Sequence, residues 1–333
     1  MSAAASRPEL SDPTRLGRLL SRLENDPDSA GEVLAKLPAP PKGTHRIGVT
    51  GSPGVGKSTL IRGLIRRYRA LGSRVGVVAV DPTSPFSGGA ILGDRVRLAD
   101  TQSDEGVFIR SLGSRGSLGG VTPGASAVAT VLEAAGYDRV LIETVGVGQT
   151  GYDVICLADT VIALFSPEGG DGVQLLKAGI LEVGDIFAVN KSDRPGSDLM
   201  IREILTSMEM NMLSAGDSLH HGPAVGGRDH PVEDGGWEPP VVKLIARDEE
   251  GVAELQAGAD QHRDWLAGLP DGHPRKRRRV SRELAFVMRS RLGRLLDVTL
   301  AGEVDSLAAE VYKGELELWR AVELLRDRLA DRI

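Results

Sequence analysis

The residues of this chain with the clearest chemical meaning form a glycine-rich run early in the sequence. Residues 51–59 fit the pattern G-x-x-x-x-G-K-[ST], between a predicted strand and a predicted helix, Leu60–Leu71. Glycines let backbone N–H groups curl around a phosphate, and the helix N-terminus adds partial positive charge. We expect Lys57, partly exposed, to reach the β- and γ-phosphates, and Ser58 to ligate Mg²⁺. The predicted nucleotide-binding residues here are Gly51, Ser52, Pro53, Gly54, Val55, Gly56, Lys57, Ser58 and Thr59.

A second motif, Asn190-Lys191-Ser192-Asp193, predicts which base the nucleotide carries. The carboxylate of Asp193 can accept hydrogen bonds from both N1–H and the exocyclic amino group of guanine. Adenine lacks this donor pattern and would leave a buried carboxylate unpaired, which costs several kcal/mol. The motif N-K-x-D is weak alone but strong after a phosphate-binding loop and at a predicted strand end. Asn190, Lys191 and Asp193 are therefore the predicted guanine-binding residues.

Acidic and glycine residues follow two other predicted strands. Asp81 ends one apolar run, and Asp94 comes thirteen residues later. Such carboxylates suit Mg²⁺, which prefers hard oxygen ligands and keeps several waters, although Asp94 also fits a helix cap. Residues 143–149 begin with Glu143 and contain Gly146, whose N–H can donate to a γ-phosphate and thereby sense its presence.

The spacing of apolar runs predicts the elements that carry these motifs. Short runs rich in β-branched residues alternate with helical spacings, which indicates an α/β fold with a doubly wound, mostly parallel sheet. Chemistry then lies at the carboxyl ends of the strands. We divide the chain into an N-terminal helical extension (1–42), a P-loop GTPase domain (43–267) and a C-terminal helical arm (268–333), and expect a mobile loop over 211–238. The predicted strands are Arg46–Thr50, Val75–Val80, Val140–Glu143, Val161–Phe165, Ile186–Val189 and Val241–Ile245.

Composition excludes several classes of protein. The 40 basic and 46 acidic residues give a net charge of −6, which argues against sequence-independent nucleic-acid binding. No apolar run reaches about 18 residues, and the N-terminus lacks the apolar core of a secretory signal, so we expect a cytoplasmic protein. A single cysteine, Cys156, excludes an internal disulfide framework and a cysteine-rich metal site.

The motifs together resemble the MeaB/ArgK/MMAA family of P-loop GTPases. Its members are G-protein chaperones of adenosylcobalamin-dependent acyl-CoA mutases, above all methylmalonyl-CoA mutase. Several of the shared segments are not generic to GTPases, which makes the likeness specific. The resemblance lies between Gly48 and Asp193, in residues 51–59, 80–82, 88–94, 108–110, 118–121, 143–149 and 190–193.

The resemblance implies a homodimer that binds GTP or GDP with Mg²⁺ and hydrolyses GTP to GDP and phosphate. It places Ser58, Asp81, Asp94 and Glu143 at the Mg²⁺ and hydrolysis positions, with Lys57 as a further catalytic residue, and makes 268–333 a dimerisation arm. Ile245 and Ala246 replace the usual base-contacting Ser-Ala pair, and the Ala246 N–H can still contact the guanine carbonyl oxygen. A third switch loop, which relays nucleotide state to the mutase, maps to Glu168, Gly169, Gly170, Asp171, Gln174 and Lys177.

Other functions stay open at this point. Thr150-Gly151 replaces the family's usual Ser-Glu, so a related mutase acting on isobutyryl-CoA or 2-hydroxyisobutyryl-CoA is an alternative partner. A metallochaperone GTPase, an ATP-dependent metabolic kinase and a scaffold with a purely structural nucleotide are the rival interpretations.

Overall fold

The computed structural model describes residues 10, 12–25, 30–81, 101, 103–113, 123–143, 153–168, 180–182, 184–217, 236–271 and 273–330. The chain divides into two compact units, residues 1–282 and residues 283–333. The first unit contains the sheet and the predicted site. The boundaries that we placed at 42/43 and 267/268 stay predictions.

One parallel sheet forms the centre of the first unit. Its strands in the described part of the chain are β1 (His45–Gly51), β2 (Val75–Asp81), β3 (Val107–Gly113), β4 (Arg139–Glu143), β5 (Thr160–Phe165), β6 (Ile186–Val189) and β7 (Val241–Lys243). Their order is β3-β2-β4-β1-β5-β6-β7, and every neighbouring pair is parallel. The predicted α/β fold is confirmed, and β1, which leads into the glycine-rich loop, is central.

Strand β3 is the element that the sequence analysis did not predict. It pairs with β2 at the edge of the sheet, and most of its residues are only half-buried. Arg110 and Ser111 interrupt its apolar run, because an edge strand needs less apolar surface than a central one. The Arg110 guanidinium binds Glu24 at 2.5 Å and Ser21 Oγ at 3.2 Å, which ties the N-terminal helix to this edge.

The helices lie between the strands and after them. They are α1 (Pro13–Asn25), α2 (Ala30–Leu34), α3 (Lys57–Ala70), α4 (Pro123–Ala134), α5 (Asp153–Leu157), α6 (Ser197–Asp217), α7 (Val252–Gly268), α8 (Pro274–Arg294), α9 (Ala301–Tyr312) and α10 (Leu318–Ala330). Because α6 continues to Asp217, the prediction of a loop from residue 211 is wrong for residues 211–217. The rest of that predicted loop, up to residue 235, lies outside the described residues.

Helix α3 holds the glycine-rich loop against the sheet. Its buried face carries Leu60, Ile61, Leu64, Ile65 and Tyr68, which join one apolar cluster with side chains of β1, β2 and α7. Each fully buried aliphatic side chain of this kind contributes about 1.5–3 kcal/mol relative to an exposed one. The helix start is thereby fixed at the carboxyl end of β1.

Helical segments make up the described part of the second unit. After the end of α8 come a π-helical segment (Leu295–Thr299), α9 and α10. Several large apolar side chains of this unit are exposed, including Tyr312, Leu318, Trp319 and Val322.

Candidate functional site

The glycine-rich loop leaves β1 at Gly51 and enters α3 at Lys57. Gly54 (φ 73°) and Gly56 (φ 102°) adopt left-handed backbone conformations, which glycine allows without steric cost. A Cβ at Gly56 would lie 2.3 Å from Nδ2 of Asn190. Glycine is therefore required at residue 56 both for the turn and for the close approach of the guanine motif.

Lys57 lies across its own loop. Its Nζ donates to the carbonyl oxygens of Gly51 at 2.9 Å and Ser52 at 3.0 Å. The residue is only 8% exposed, so the expectation that Lys57 is partly exposed was wrong. The loop carbonyls explain the difference, because they supply acceptors that let the ammonium lie inside the loop rather than extend into water.

Ser58 and Glu143 meet beside this loop. The Ser58 hydroxyl donates to Oε1 of Glu143 at 2.7 Å, and Glu143 is 4% exposed. The sheet register explains the meeting, since Val49 of β1 pairs with Glu143 at the end of β4. A hydroxyl and a carboxylate are hard oxygen donors of the kind Mg²⁺ prefers, so these two predicted metal ligands fit that ion.

Two of the four predicted metal ligands are less fully described. Asp81 ends β2, the other neighbour of β4, two residues beyond the pairing of Ala79 with Glu143. Its backbone is at the same end of the sheet, and its side chain is not described. Asp94 and Gly146 lie outside the described residues. No group of three or more His, Cys, Asp or Glu side chains suited to a metal occurs in the portion that the structure describes.

Asn190 connects the glycine-rich loop with the loop after β7. This buried side chain donates from Nδ2 to the Val55 carbonyl oxygen at 2.7 Å and accepts at Oδ1 from the Ala246 N–H at 2.9 Å. We predicted Asn190 as a nucleotide contact and the Ala246 N–H as a donor to guanine. Here these groups bond to one another, which makes Asn190 a link between the two loops. Ile245 is half-buried, and its N–H donates to the Glu250 carbonyl oxygen at 3.0 Å.

The other residues of the guanine motif are more exposed. Asp193 has 39% of its side chain exposed, and its Oδ2 lies 4.0 Å from the Arg247 guanidinium. Lys191 adopts a left-handed backbone (φ 58°), and its Nζ donates to Oε2 of Glu168 at 2.9 Å. The other oxygen of Glu168 contacts Arg194.

The contact between Glu168 and the guanine motif was not predicted. We assigned Glu168 to a switch loop, and it is the one member of that set within the described residues. Gly169, Gly170, Asp171, Gln174 and Lys177 lie outside them. Arg194 and Arg247 were also missed; for Arg194 the signal was available, since it directly follows Asp193, whereas Arg247 is far away in sequence.

A pocket of about 400 Å³ lies at the opposite end of the sheet, around the amino ends of β1, β5 and β6. Three buried residues beside it form a chain: Nε2 of His45 is 2.7 Å from Oγ1 of Thr160, which is 2.7 Å from Nδ1 of His262. Nε2 of His262 lies 3.5 Å from Oδ1 of Asp185. Burial holds the pKa of His45 well below its usual range and also lowers that of His262.

Comparison with known proteins shows the family to which the chain belongs. The model of the family "Methylmalonyl Co-A mutase-associated GTPase MeaB" matches residues 16–299. The chain belongs to the MeaB family. This MeaB-family protein is accordingly a GTPase, and the resemblance proposed from the motifs is confirmed.

Relatives of this MeaB-family chain come from archaea, bacteria and mammals. A Pyrococcus horikoshii protein that carries a GTPase name is 35% identical over 321 residues, 96% of each chain. GTPase ArgK of Escherichia coli is 46% identical over 150 residues, 45% of each chain. The mitochondrial methylmalonic aciduria type A homolog of Mus musculus is 37% identical over 212 residues, 64% of this chain and 47% of that protein.

A solved structure supports the fold. The crystal structure of an LAO/AO transport system kinase superposes with a TM-score of 0.63 and 23% identity, covering 97% of this chain and 95% of that one.

Among the described helices, none is long and apolar enough to span a bilayer.

Proposed function

We propose that this GTPase binds GTP and GDP with Mg²⁺ at the carboxyl end of the sheet and is a chaperone of an adenosylcobalamin-dependent acyl-CoA mutase, with methylmalonyl-CoA mutase as the first candidate. Its GTP cycle gates loading or protection of the mutase cofactor. The observation that best supports this nucleotide site is the pair of hydrogen bonds made by the Asn190 side chain. They hold the phosphate loop and the guanine loop together as one site.

Hydrolysis at this site is positional and electrostatic. Lys57 and the loop N–H groups stabilise the charge of the transferring phosphoryl group. Ser58, Asp81, Asp94 and Glu143 would hold Mg²⁺, which when bound neutralises charge on the β- and γ-phosphates. A P-loop GTPase that lacks an arginine finger turns over at about 10⁻⁴ to 10⁻³ per second, and we expect intrinsic hydrolysis in that range.

Asp193→Asn tests the guanine assignment. The amide replaces one acceptor by a donor, so affinity shifts from guanine toward xanthine nucleotides. We expect GDP affinity to fall about tenfold or more and xanthosine diphosphate to bind better than GDP, measured by calorimetry in magnesium buffer. Unchanged GDP affinity would contradict the assignment. ATP that displaces labelled GDP at a similar concentration would favour a kinase.

Purified mutase tests the partner. We expect methylmalonyl-CoA mutase to raise the rate of GTP hydrolysis more than tenfold, and the Lys57→Ala variant to show no stimulation. Stimulation only by a mutase for isobutyryl-CoA or 2-hydroxyisobutyryl-CoA would move the assignment to that enzyme. If the GTP-bound and GDP-bound protein bind the mutase equally tightly, a nucleotide-driven mechanism is wrong, because a ligand without differential affinity shifts nothing.

We further propose that residues 268–333 form an arm for homodimerisation. The support is the exposed apolar surface of the second unit, where Trp319 is 72% and Leu318 57% exposed. Sedimentation equilibrium should give a dimer for the wild type and a monomer for Trp319→Glu. A wild-type monomer at micromolar concentration would refute the proposal.

A further inference from the structure

Three cationic residues are neighbours of Asp193, two in the sequence and one in space. Lys191 comes two residues before Asp193, and Arg194 directly follows it. Arg247 approaches from the loop after β7, with its guanidinium 4.0 Å from Asp193 Oδ2. Any of these cations that paired closely with Asp193 would occupy the oxygens that guanine needs.

Two carboxylates other than Asp193 hold these three cations. Glu168, which follows β5, binds both Lys191, at 2.9 Å from Nζ to Oε2, and Arg194. Arg247 donates two hydrogen bonds to Asp248, at 2.9 Å from Nη2 to Oδ2 and 3.1 Å from Nε to Oδ1.

The pairing of Arg247 with Asp248 shifts the pKa of both groups. Hydrogen bonding from the Arg247 guanidinium lowers the pKa of Asp248, and the same bond, more than the charge of Asp193, raises the pKa of Arg247. The distances show the same preference: Arg247 makes two hydrogen bonds to Asp248 and lies too far from Asp193 for a hydrogen bond.

Guanine and a neighbouring cation compete for the same carboxylate. To read guanine, Asp193 must accept from N1–H and from the exocyclic amino group with both oxygens. A guanidinium can claim the same two oxygens in a bidentate pair. We propose that Glu168 and Asp248 are positioning residues that hold Lys191, Arg194 and Arg247 away from Asp193 and so keep it available to guanine. This inference rests on the proposed guanine site and gives Glu168 a role separate from switching.

The test replaces each holding carboxylate by its neutral amide. We expect Glu168→Gln and Asp248→Asn each to raise the dissociation constant for GDP about two- to fivefold at low salt, the effect of one exposed ion pair. Asp198→Asn is the matched control, because it removes an exposed pair of similar geometry, Lys243 to Asp198 at 2.6 Å, that does not touch Asp193. It should leave GDP affinity unchanged.

Inosine diphosphate separates this role from a general loosening of the loop. It lacks the exocyclic amino group and so makes one bond fewer to Asp193. Inosine diphosphate leaves one Asp193 oxygen for a released cation, whereas GDP needs both oxygens. Competition at Asp193 therefore lowers the preference for GDP over inosine diphosphate in Glu168→Gln, whereas a structural defect weakens both ligands equally. Adding Arg194→Gln to Glu168→Gln removes one released competitor and should restore most of the preference.

The Asp193→Asn background distinguishes failure of this inference from failure of the proposed function. Asparagine carries no charge for a cation to pair with, so Glu168→Gln should leave the affinity for xanthosine diphosphate unchanged there. If Asp193→Asn itself leaves GDP affinity intact, the guanine site is wrong. If Asp193→Asn behaves as expected but Glu168→Gln and Asp248→Asn keep the wild-type preference for GDP over inosine diphosphate, only the present inference is overturned.

Discussion

At the carboxyl end of the sheet, the side chains of Lys57 and Asn190 bond to the backbone of loops, and Asp193 is partly exposed to solvent. At the amino end, His45, Thr160 and His262 are almost fully buried and contact one another. The polar side chains at the amino end therefore bond to one another, whereas those at the carboxyl end bond to loop backbone or contact solvent.

The difference indicates two uses of polar residues. Groups that face a ligand must keep hydrogen-bonding capacity for it, whereas buried groups cost stability unless the protein itself satisfies them. We therefore expect substitutions at the carboxyl end to change nucleotide binding with little loss of stability, and substitutions at the amino end to do the reverse.

Lys57→Ala should produce the largest effect at the carboxyl end. The variant loses the cation that we propose makes charge-assisted hydrogen bonds to the phosphates, so GDP affinity should fall about a hundredfold or more. Calorimetry measures the affinity, and thermal unfolding of the ligand-free protein is the control. A large drop in melting temperature with intact GDP binding would contradict the expectation that carboxyl-end residues affect binding more than stability.

Glu143→Gln should have the next largest effect, and on catalysis rather than on binding. The amide still accepts from Ser58 but carries no charge to hold Mg²⁺. We expect the rate of GTP hydrolysis to fall about ten- to a hundredfold, while GDP affinity changes less than about threefold. Equal losses in hydrolysis and binding would count against a role in the hydrolysis step. Single-turnover hydrolysis and calorimetry give the two quantities.

Acidification should lower the stability of the fold through the buried histidines at the amino end of the sheet. A histidine whose pKa is lowered by folding stays neutral in the folded protein while the unfolded chain takes up a proton below about pH 6.5. Stability is thus complete above that pH and falls as the pH drops toward the folded pKa. Between pH 7.5 and 5.5 we expect a loss on the order of 1 kcal/mol from His45 and a further loss from His262.

Urea unfolding of the wild type and of His45→Gln measures this loss. The variant should be less stable at pH 7.5, with a smaller dependence on pH, and should bind GDP like the wild type at pH 7.5. If the stability of His45→Gln depends on pH as steeply as that of the wild type, groups other than His45 cause the loss of stability.

Asp198→Asn should have the smallest effect. Its pair with Lys243 is exposed, and such pairs contribute about 0–1 kcal/mol. We expect urea unfolding of this variant to give the same free energy of unfolding as the wild type within experimental error. A larger change would show that exposed charges near the guanine loop also stabilise the fold.

The sequence predicted those parts of the molecule in which local pattern and tertiary structure agree. Six of the seven described strands were found because they are short and apolar, whereas β3 was missed because Arg110 and Ser111 lie within it. The family resemblance, rather than a local pattern, assigned Ser58 and Glu143 to one site, and their side chains meet at 2.7 Å.

Contacts between distant loops could not be predicted in this way. Glu168 and Lys191 are separated by 23 residues, and no local pattern indicates their ion pair. Two other contacts depend on where loops lie after the whole sheet has formed. They are the burial of Lys57 and the hydrogen bond from the Ala246 N–H to Asn190. Single-sequence patterns do not contain that information.

The Asn190 link has a consequence for how a ligand assembles its own site. Because one amide anchors both the glycine-rich loop and the loop after β7, ordering of either loop restrains the other. Inorganic triphosphate alone and guanosine alone would each pay the full entropy of fixing both loops. The intact nucleotide loses that entropy only once, so its affinity should exceed the product of the affinities of its two fragments.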